Sequence, residues 1–262
     1  MIAEQLEDKA RSIRRDIIEM AHRSSSPHVG SALSCVDILA SLYFSVLRLE
    51  PWERRDVFIL SKAHASMVLY ATLVAREIMP EGVLETYCRA GGRLPAHLDK
   101  TTGRGIECSA GSLGHGFSIG LGMAYGFKQQ RTDRRVYVMI GDGESQEGSI
   151  WEGALFAPRM GLDNFTAIMD CNDLQGYGRP TEICSFEPVV EKWQAFGWHV
   201  CEADGHDHDA ILSALAEDSC GKPKIVVART VKGKGVSFME NELVWHYYIV
   251  TDQHREAALK EL

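Results

Sequence analysis

Val136-Tyr137-Val138-Met139-Ile140-Gly141-Asp142-Gly143-Glu144 and Phe165-Thr166-Ala167-Ile168-Met169-Asp170-Cys171-Asn172 decide the reading of the fold. Each begins as an apolar run of strand length and passes directly into polar residues. Strands that are apolar throughout belong to parallel sheets covered on both faces, because there neither face meets water. The neighbouring sequence agrees. A Gly-rich helical stretch from Leu113 to Gln130 precedes the first run, and a helix around Ile150 to Arg159 separates the two. Val57-Phe58-Ile59-Leu60 is a third such run, followed by a helical pattern from Ala63 to Met79. Trp198 to Cys201 and Lys224 to Ala228 are further runs, separated by a helix from His208 to Ala216. Upstream, Leu6, Ile13, Ile17 and Met20 fit one face of a first helix, and a second apolar helix, Cys35 to Leu47, ends before Pro51. The prediction is an α/β fold with a parallel sheet covered by helices on both faces. No repeat, low-complexity tract or Pro/Ser-rich linker interrupts it, so residues 1–262 are read as one domain.

A chain of 262 residues, 45% hydrophobic and 24% charged, can bury a sizeable core. Its net charge of -8 argues against nucleic-acid binding, which needs clustered Lys and Arg to displace counterions. An anionic ligand would have to be met locally, by a metal, helix N-termini or single histidines. The 7 cysteines form no CxxC pair and are odd in number, which favours free thiols in a reducing compartment. Met1 to Arg15 lacks the apolar core of a signal peptide, and no apolar run has membrane-spanning length. A cytoplasmic protein with no membrane association is expected.

In parallel sheets, ligands bind beyond the carboxyl ends of the strands. The residues after Ile140, Met169 and Leu60 are therefore the ones to examine. Gly141 and Gly143 allow a sharp turn and a close approach to a ligand, while Asp142 offers a hard oxygen. Asn172, ending the next strand, can bring an amide oxygen to the same point. A carboxylate, an amide carbonyl and a backbone carbonyl, completed by phosphate oxygens, suit octahedral Mg²⁺. The Gly143 amide and the following helix N-terminus would then face the phosphates. A bare Gly-Asp-Gly is a common turn. Followed by an Asn at the end of a second apolar strand, it is far more specific.

These residues carry a resemblance. The Asp142 and Asn172 pair is similar to the thiamine diphosphate motif, and the run from Gly141 to Glu152 resembles its transketolase version. Leu162-Asp163-Asn164-Phe165 and Asn172-Asp173-Leu174-Gln175 fit that family as well. The resemblance implies thiamine diphosphate with Mg²⁺ (or Ca²⁺ or Mn²⁺ in its place), held by Asp142, Asn172 and the Leu174 carbonyl. Ser109-Ala110-Gly111-Ser112-Leu113-Gly114-His115-Gly116 resembles the family turn that admits the cofactor closely, with His115 replacing its usual Gln. That implies cofactor contacts at Gly111, Ser112 and Leu113, beside Gly143 and Asn172.

Four of the 10 histidines lie in matching contexts. His28, in Ser26-Pro27-His28-Val29-Gly30, matches the family histidine before the second helix. His64, in Ser61-Lys62-Ala63-His64, matches the one that touches the diphosphate. His97, in Leu94-Pro95-Ala96-His97, matches the histidine that meets the donor sugar, although Ala96 and Leu98 depart from the family's Gly-His-Pro. His246 follows a stretch from Thr230 to Glu240 that resembles the segment before the fourth active-site histidine, which serves both cofactor and catalysis. Moving a two-carbon ketol unit requires taking a proton from a donor hydroxyl and returning one to an aldehyde oxygen. An imidazole with an ordinary pKa of about 6.5 can do both. Glu147 and Glu152 match acidic residues near the family's subunit interface, and Glu147 joins the catalytic candidates His28, His97 and His246. Lys232 and Lys234 could meet phosphate or belong to a solvated loop. His22, His199, His206, His208 and His254 are read as structural or surface residues.

The resemblance covers the chain from its first helix to Glu240. In the family a second domain holds the aminopyrimidine ring and supplies the glutamate that activates it. With the chain ending at Leu262, that domain is expected on a separate, C-terminal subunit. The expected assembly is a heterotetramer acting on sugar phosphates. The alternatives are membership of a 2-oxo-acid dehydrogenase or decarboxylase, and a non-catalytic cofactor-binding role.

Overall fold

The computed structural model describes residues 2–262. The helices are α1 (Ala3–Ser24), α2 (Val29–Leu33), α3 (Val36–Ser41), α4 (Ser66–Ala75), α5 (His115–Gln129), α6 (Gly148–Arg159), α7 (Pro180–Ile183), α8 (Val189–Ala195), α9 (His208–Ala216) and α10 (Asp252–Glu261). The strands are β1 (Val57–Leu60), β2 (Val136–Gly141), β3 (Phe165–Cys171), β4 (His199–Asp204) and β5 (Lys224–Arg229). They form one parallel sheet in the order β1-β2-β3-β5-β4. Gly141 lies opposite Asp170, and Cys171 opposite Arg229, so β2, β3 and β5 deliver their last residues to one edge.

Alternate residues of each strand enter two separate cores. Phe58, Leu60, Tyr137, Met139, Ile168 and Val226 pack beneath α1 to α4 and α9. Val57, Ile59, Val138, Ile140, Phe165 and Val227 pack beneath α5, α6 and α8. A side chain on either face of β1, β2 or β3 is therefore buried, which is why these strands read as continuous apolar runs. Strand β4 lies at the sheet edge, where its alternating exposure shows in Glu202 and Asp204.

Two of the four glycines of α5, Gly116 and Gly120, have a packing cause. A Cβ at Gly120 would lie 2.4 Å from Val138 Cγ2, and one at Gly116 would lie 2.8 Å from Ser61 Cα. The helix thus rides directly on the strands, with Phe117 fully buried against Phe165 and Trp193.

Several boundaries differ from the sequence reading. The stretch Cys35 to Leu47 is α3 followed by a wider turn over Leu42–Val46, closed by Leu47 N–H donating to Leu42 O at 2.8 Å. The pattern from Ala63 to Met79 begins as a tight turn at Ala63–Ala65 and ends at Ala75. There Glu77 is left-handed (φ 60°), and Ile78 N–H donates to Leu73 O while Glu77 N–H donates to Val74 O, a Schellman closure. Helices α8 and α10 have no counterpart in the sequence reading. The second is started by Thr251, whose hydroxyl accepts from His254 N–H at 3.3 Å.

Candidate active site

The deepest polar group at the sheet's carboxyl edge is Asp170, fully buried on β3. It accepts from Ser34 Oγ (2.6 Å), Asn172 Nδ2 (2.9 Å), Thr230 Oγ1 and the ammonium of Lys62. Lys62 also donates to Ser31 O at 2.9 Å. Burial alone would raise the Asp170 carboxyl, but the Lys62 charge and these donors outweigh it and hold it below the usual range. Asp170 in turn keeps Lys62 cationic against its own burial. This ionised pair ties β3 to the turn after β1, and its donors include the amide of Asn172.

Around this anchor lies a cavity of about 320 Å³ whose lining includes His28, Lys62, Asp142, Asn172, Leu174 and Lys232. Its size is that of a pocket for a small molecule. Asp142 Oδ1 accepts from Gly143 N–H at 2.7 Å, while Oδ2 is buried without a hydrogen-bond partner. Burial, then the charge of Asp170, raises its carboxyl to about 6. Asn172 Oδ1 accepts from Leu174 N–H at 3.2 Å and keeps a second lone pair. The Leu174 carbonyl accepts from the Lys232 ammonium at 2.9 Å, so its oxygen already meets a cation. A hard cation fits this donor set: one anionic oxygen lacking a partner, one amide oxygen and one carbonyl. A polyanion fits beside it, against Lys62 and Lys232. Lys232 is 1% exposed, and burial lowers its ammonium to about 8 despite Asp142. It is thus a buried cation in the cavity wall, not part of a solvated loop.

Glu144 joins β2 to α5. Its Oε1 accepts from Gly114 N–H at 2.8 Å and from Ser61 Oγ, and Oε2 accepts from Gly141 N–H at 3.3 Å. Ser61 Oγ accepts in turn from Phe117 N–H at 3.0 Å. Gly114 has φ 82°, and a Cβ there would lie 2.2 Å from Ser149 Oγ, so this junction requires glycine.

His28, His64 and His246 meet above the strand ends, with ring centroids 5.0 to 5.6 Å apart. His28 is left-handed (φ 73°) and donates its backbone N–H to His246 O at 3.1 Å. Burial lowers all three imidazoles. His97 adds to the effect at His28, Lys62 at His64, and Lys232 at His246, which falls to about 3. All three are therefore neutral near pH 7. Lysine only donates, so the 3.1 Å contact from Lys232 makes His246 Nδ1 an acceptor and leaves the proton on Nε2. A Cβ at Gly176 would lie 3.5 Å from that Nε2. His28 Nδ1 is buried without a partner, and His97 is exposed at the mouth.

Of the residues singled out from sequence, His28, His64, His97, Gly111, Leu113, Asp142, Gly143, Asn172, Leu174 and His246 all line the cavity. Ser112 and Glu147 do not: both are exposed, and Glu144 occupies the buried position near the strand end. The Gly143 amide donates to Asp142 Oδ1 at the cavity wall. His115 is exposed and lies outside the cavity. Lys62 shares a motif with His64, but only the structure gives it a role. Its one signal in the sequence is a lysine two residues beyond a buried strand, because the partner Asp170 lies far away along the chain.

The pattern of the family described as "Transketolase, thiamine diphosphate binding domain" matches residues 2–257. The 6-deoxy-6-sulfo-D-fructose transketolase subunit of Clostridium sp. (strain MSTE9) is 41% identical over 98% of this chain and 96% of its own length. An apulose-4-phosphate transketolase subunit of Actinobacillus succinogenes is 40% identical over 99% of this chain and 96% of its own. The crystal structure of a Campylobacter jejuni transketolase superposes with a TM-score of 0.93 at 27% identity, covering all of this chain but 43% of that one. A sheet that ends in the Asp142–Asn172 cradle, together with this agreement along the whole length, places the chain in the transketolase family, as the part that corresponds to its thiamine diphosphate binding domain.

Proposed function

We propose that this chain is the diphosphate- and metal-holding half of a two-chain transketolase, in which residues 1–262 form one domain and a C-terminal subunit supplies the pyrimidine-binding half. The observation that carries the reading is the unpartnered Asp142 Oδ2 in a cavity lined also by two buried ammoniums and three neutral imidazoles. Two features favour a separate partner. The chain spans 96% of relatives that are themselves named subunits, but 43% of the Campylobacter transketolase. Exposed apolar residues also stand at the cavity wall, with Tyr177 at 89% and Tyr247 at 55%, and on α5 and α6, with Tyr125 at 38% and Leu155 at 64%. Two such surfaces suit a heterotetramer, in which the C-terminal partner covers one and a second copy of this chain covers the other. The relatives' names join a ketose to a sulfo or phosphate group, so the donor is a ketose with a terminal anion, and a sugar phosphate is the first to test. No helix among the described residues is long and apolar enough to cross a membrane; the seven free cysteines support a reducing compartment, the cytoplasm.

Asp142, Asn172 and the Leu174 carbonyl would hold Mg²⁺, or Ca²⁺ or Mn²⁺ in its place, and Lys62 and Lys232 would offer positive charge to the diphosphate. Thiamine diphosphate, when bound, supplies the electron sink that lets the donor's C2–C3 bond break. His28 offers an unpartnered Nδ1, His246 offers Nε2–H, and His97 stands where a donor hydroxyl enters. Neutral near pH 7, His28 can exchange a proton through its unpartnered nitrogen, while His246, its Nδ1 taken by Lys232, can donate from Nε2. Glu144 keeps the α5 N-terminus seated over the cavity. A keto-acid decarboxylase or a purely binding subunit is not favoured by the comparisons.

The division of labour is testable. His97→Ala should lower ketol-transfer kcat by roughly 10²-fold or more while thiamine diphosphate stays bound, because His97 meets only the sugar. His64→Ala should weaken cofactor binding instead. The check is titration of the cofactor beside steady-state kinetics on the assembled enzyme. An equal binding defect in both variants, with no kinetic difference, would overturn this assignment.

A further inference from the structure

Lys232 is a buried cation of the cavity wall, yet it sits on a loop after β5. What holds that loop is a second buried network, outside the cavity. Asp37 on α3 is 5% exposed, and its Oδ2 accepts from Arg14 Nη2 at 2.6 Å and from His206 Nδ1 at 2.8 Å. Both partners then reach the Lys232 loop from opposite ends. His206 Nε2 accepts the backbone N–H of Val231 at 2.8 Å, immediately before Lys232. Arg14 Nε donates to the carbonyl of Lys234 at 3.1 Å, two residues beyond Lys232. A Cβ at Gly235 would lie 2.8 Å from Arg14 Cδ, so the chain there is pressed against the guanidinium.

The tautomer follows from these bonds. Val231 N–H can only donate, so His206 Nε2 is an acceptor and the ring proton lies on Nδ1, facing Asp37. The carboxylate therefore fixes an imidazole whose other nitrogen captures a loop amide. That arrangement usually orients a functional side chain, and here it orients backbone.

We propose that Asp37, through His206 and Arg14, is a positioning clamp that holds Val231 and Lys234 so that the Lys232 ammonium is delivered to the Leu174 carbonyl and His246 Nδ1. None of the three clamp residues touches the cavity. The clamp rests on the reading that Lys232 faces the diphosphate, but its backbone consequence does not. An ammonium on a flexible four-carbon stem is useful in a buried site only if its Cα is fixed. The clamp removes loop freedom that the ligand would otherwise have to order.

The test uses the full chain and the variants His206→Ala, His206→Gln, Lys232→Ala and His206→Ala/Lys232→Ala. Hydrogen exchange, without cofactor, should quicken about tenfold or more at residues 230–235 in His206→Ala and stay unchanged in α1 and the sheet, because a local bond is lost rather than global stability. The affinity for thiamine diphosphate with Mg²⁺ should fall roughly five- to tenfold, the scale of one hydrogen bond. His206→Gln, whose amide oxygen can still accept from Val231, should recover most of both. In the Lys232→Ala background, His206→Ala should cost no further affinity, since the clamp acts through Lys232. Unchanged exchange at residues 230–235, or a full additive loss of affinity in the double variant, would overturn the clamp. If the wild-type protein bound no thiamine diphosphate, the functional reading would fail, and the exchange result alone would decide the clamp.

Discussion

Replacing Asp142 by alanine is expected to abolish Mg²⁺-dependent thiamine diphosphate binding without unfolding the protein. Asp142 is the only anionic group of the proposed donor set with an oxygen to spare, because Asp170 has its oxygens engaged by Ser34, Lys62, Asn172 and Thr230. Affinity should fall by more than about 100-fold, beyond the 10- to 100-fold loss usual for an outer-shell partner of a metal. Asn172→Ala should weaken binding less, by about tenfold, because a neutral oxygen is lost and other ligands remain. The metal-free stability should not drop in the Asp142 variant, since Oδ2 is buried with no partner and its desolvation is uncompensated. Calorimetry on the assembled enzyme, beside thermal melts of the chain alone, separates the two effects. Wild-type affinity in the Asp142 variant would refute the assignment.

The second large effect concerns the anchor beneath the site. Lys62→Met should destabilise the chain by about 3–5 kcal/mol, because it leaves the Asp170 carboxylate buried without a countercharge. Three neutral donors remain on Asp170, so its hydrogen bonds survive while its ion pair does not. With roughly 2–4 °C per kcal/mol for a domain of this size, the melting temperature should fall by about 6–20 °C. A fall of less than about 2 °C would mean that the pair is energetically neutral, as some buried pairs are relative to apolar packing. Cofactor binding would be lost as well, since Asn172 donates to the same carboxylate.

Much of this architecture was legible because parallel strands buried on both faces have a simple signature. Val136 to Ile140 and Phe165 to Met169 could hardly be anything else, and the polar residues that end them fall at the edge where such sheets bind ligands. Strand β4 was less plain, because an edge strand alternates polar and apolar residues as many loops do. The end of α4 was missed because Glu77 adopts a left-handed closure normally signalled by glycine. Within the site, residues on recognisable turns, such as Asp142, Asn172 and His64, could be read directly. Asp170, Lys62 and Glu144 could not, because their importance comes from partners distant in sequence, and for the same reason Lys232 could not be told from a solvated loop lysine. Lys62 meets Asp170 across the sheet, and Glu144 meets Gly114 across the cavity rim. His206 looked like a surface histidine for the same reason: its partners are an aspartate on α3 and a backbone amide after β5.

On the proposed function, this chain holds the cofactor's diphosphate but cannot complete the reaction alone. A site that must exclude water while a ketol unit is carried needs its exposed rim covered. The tyrosines at the cavity wall and the apolar residues of α5 and α6 provide the surface, and an obligate partner should bury well over roughly 2,000 Å² there. The direct measurement is ketol transfer from a ketose phosphate to an aldose, assayed with this chain by itself, with a C-terminal, pyrimidine-binding transketolase subunit by itself, and with the two mixed. Neither chain by itself should turn over, and mixing should give turnover together with a larger assembly in light scattering. Substantial turnover by this chain alone would contradict the proposed function.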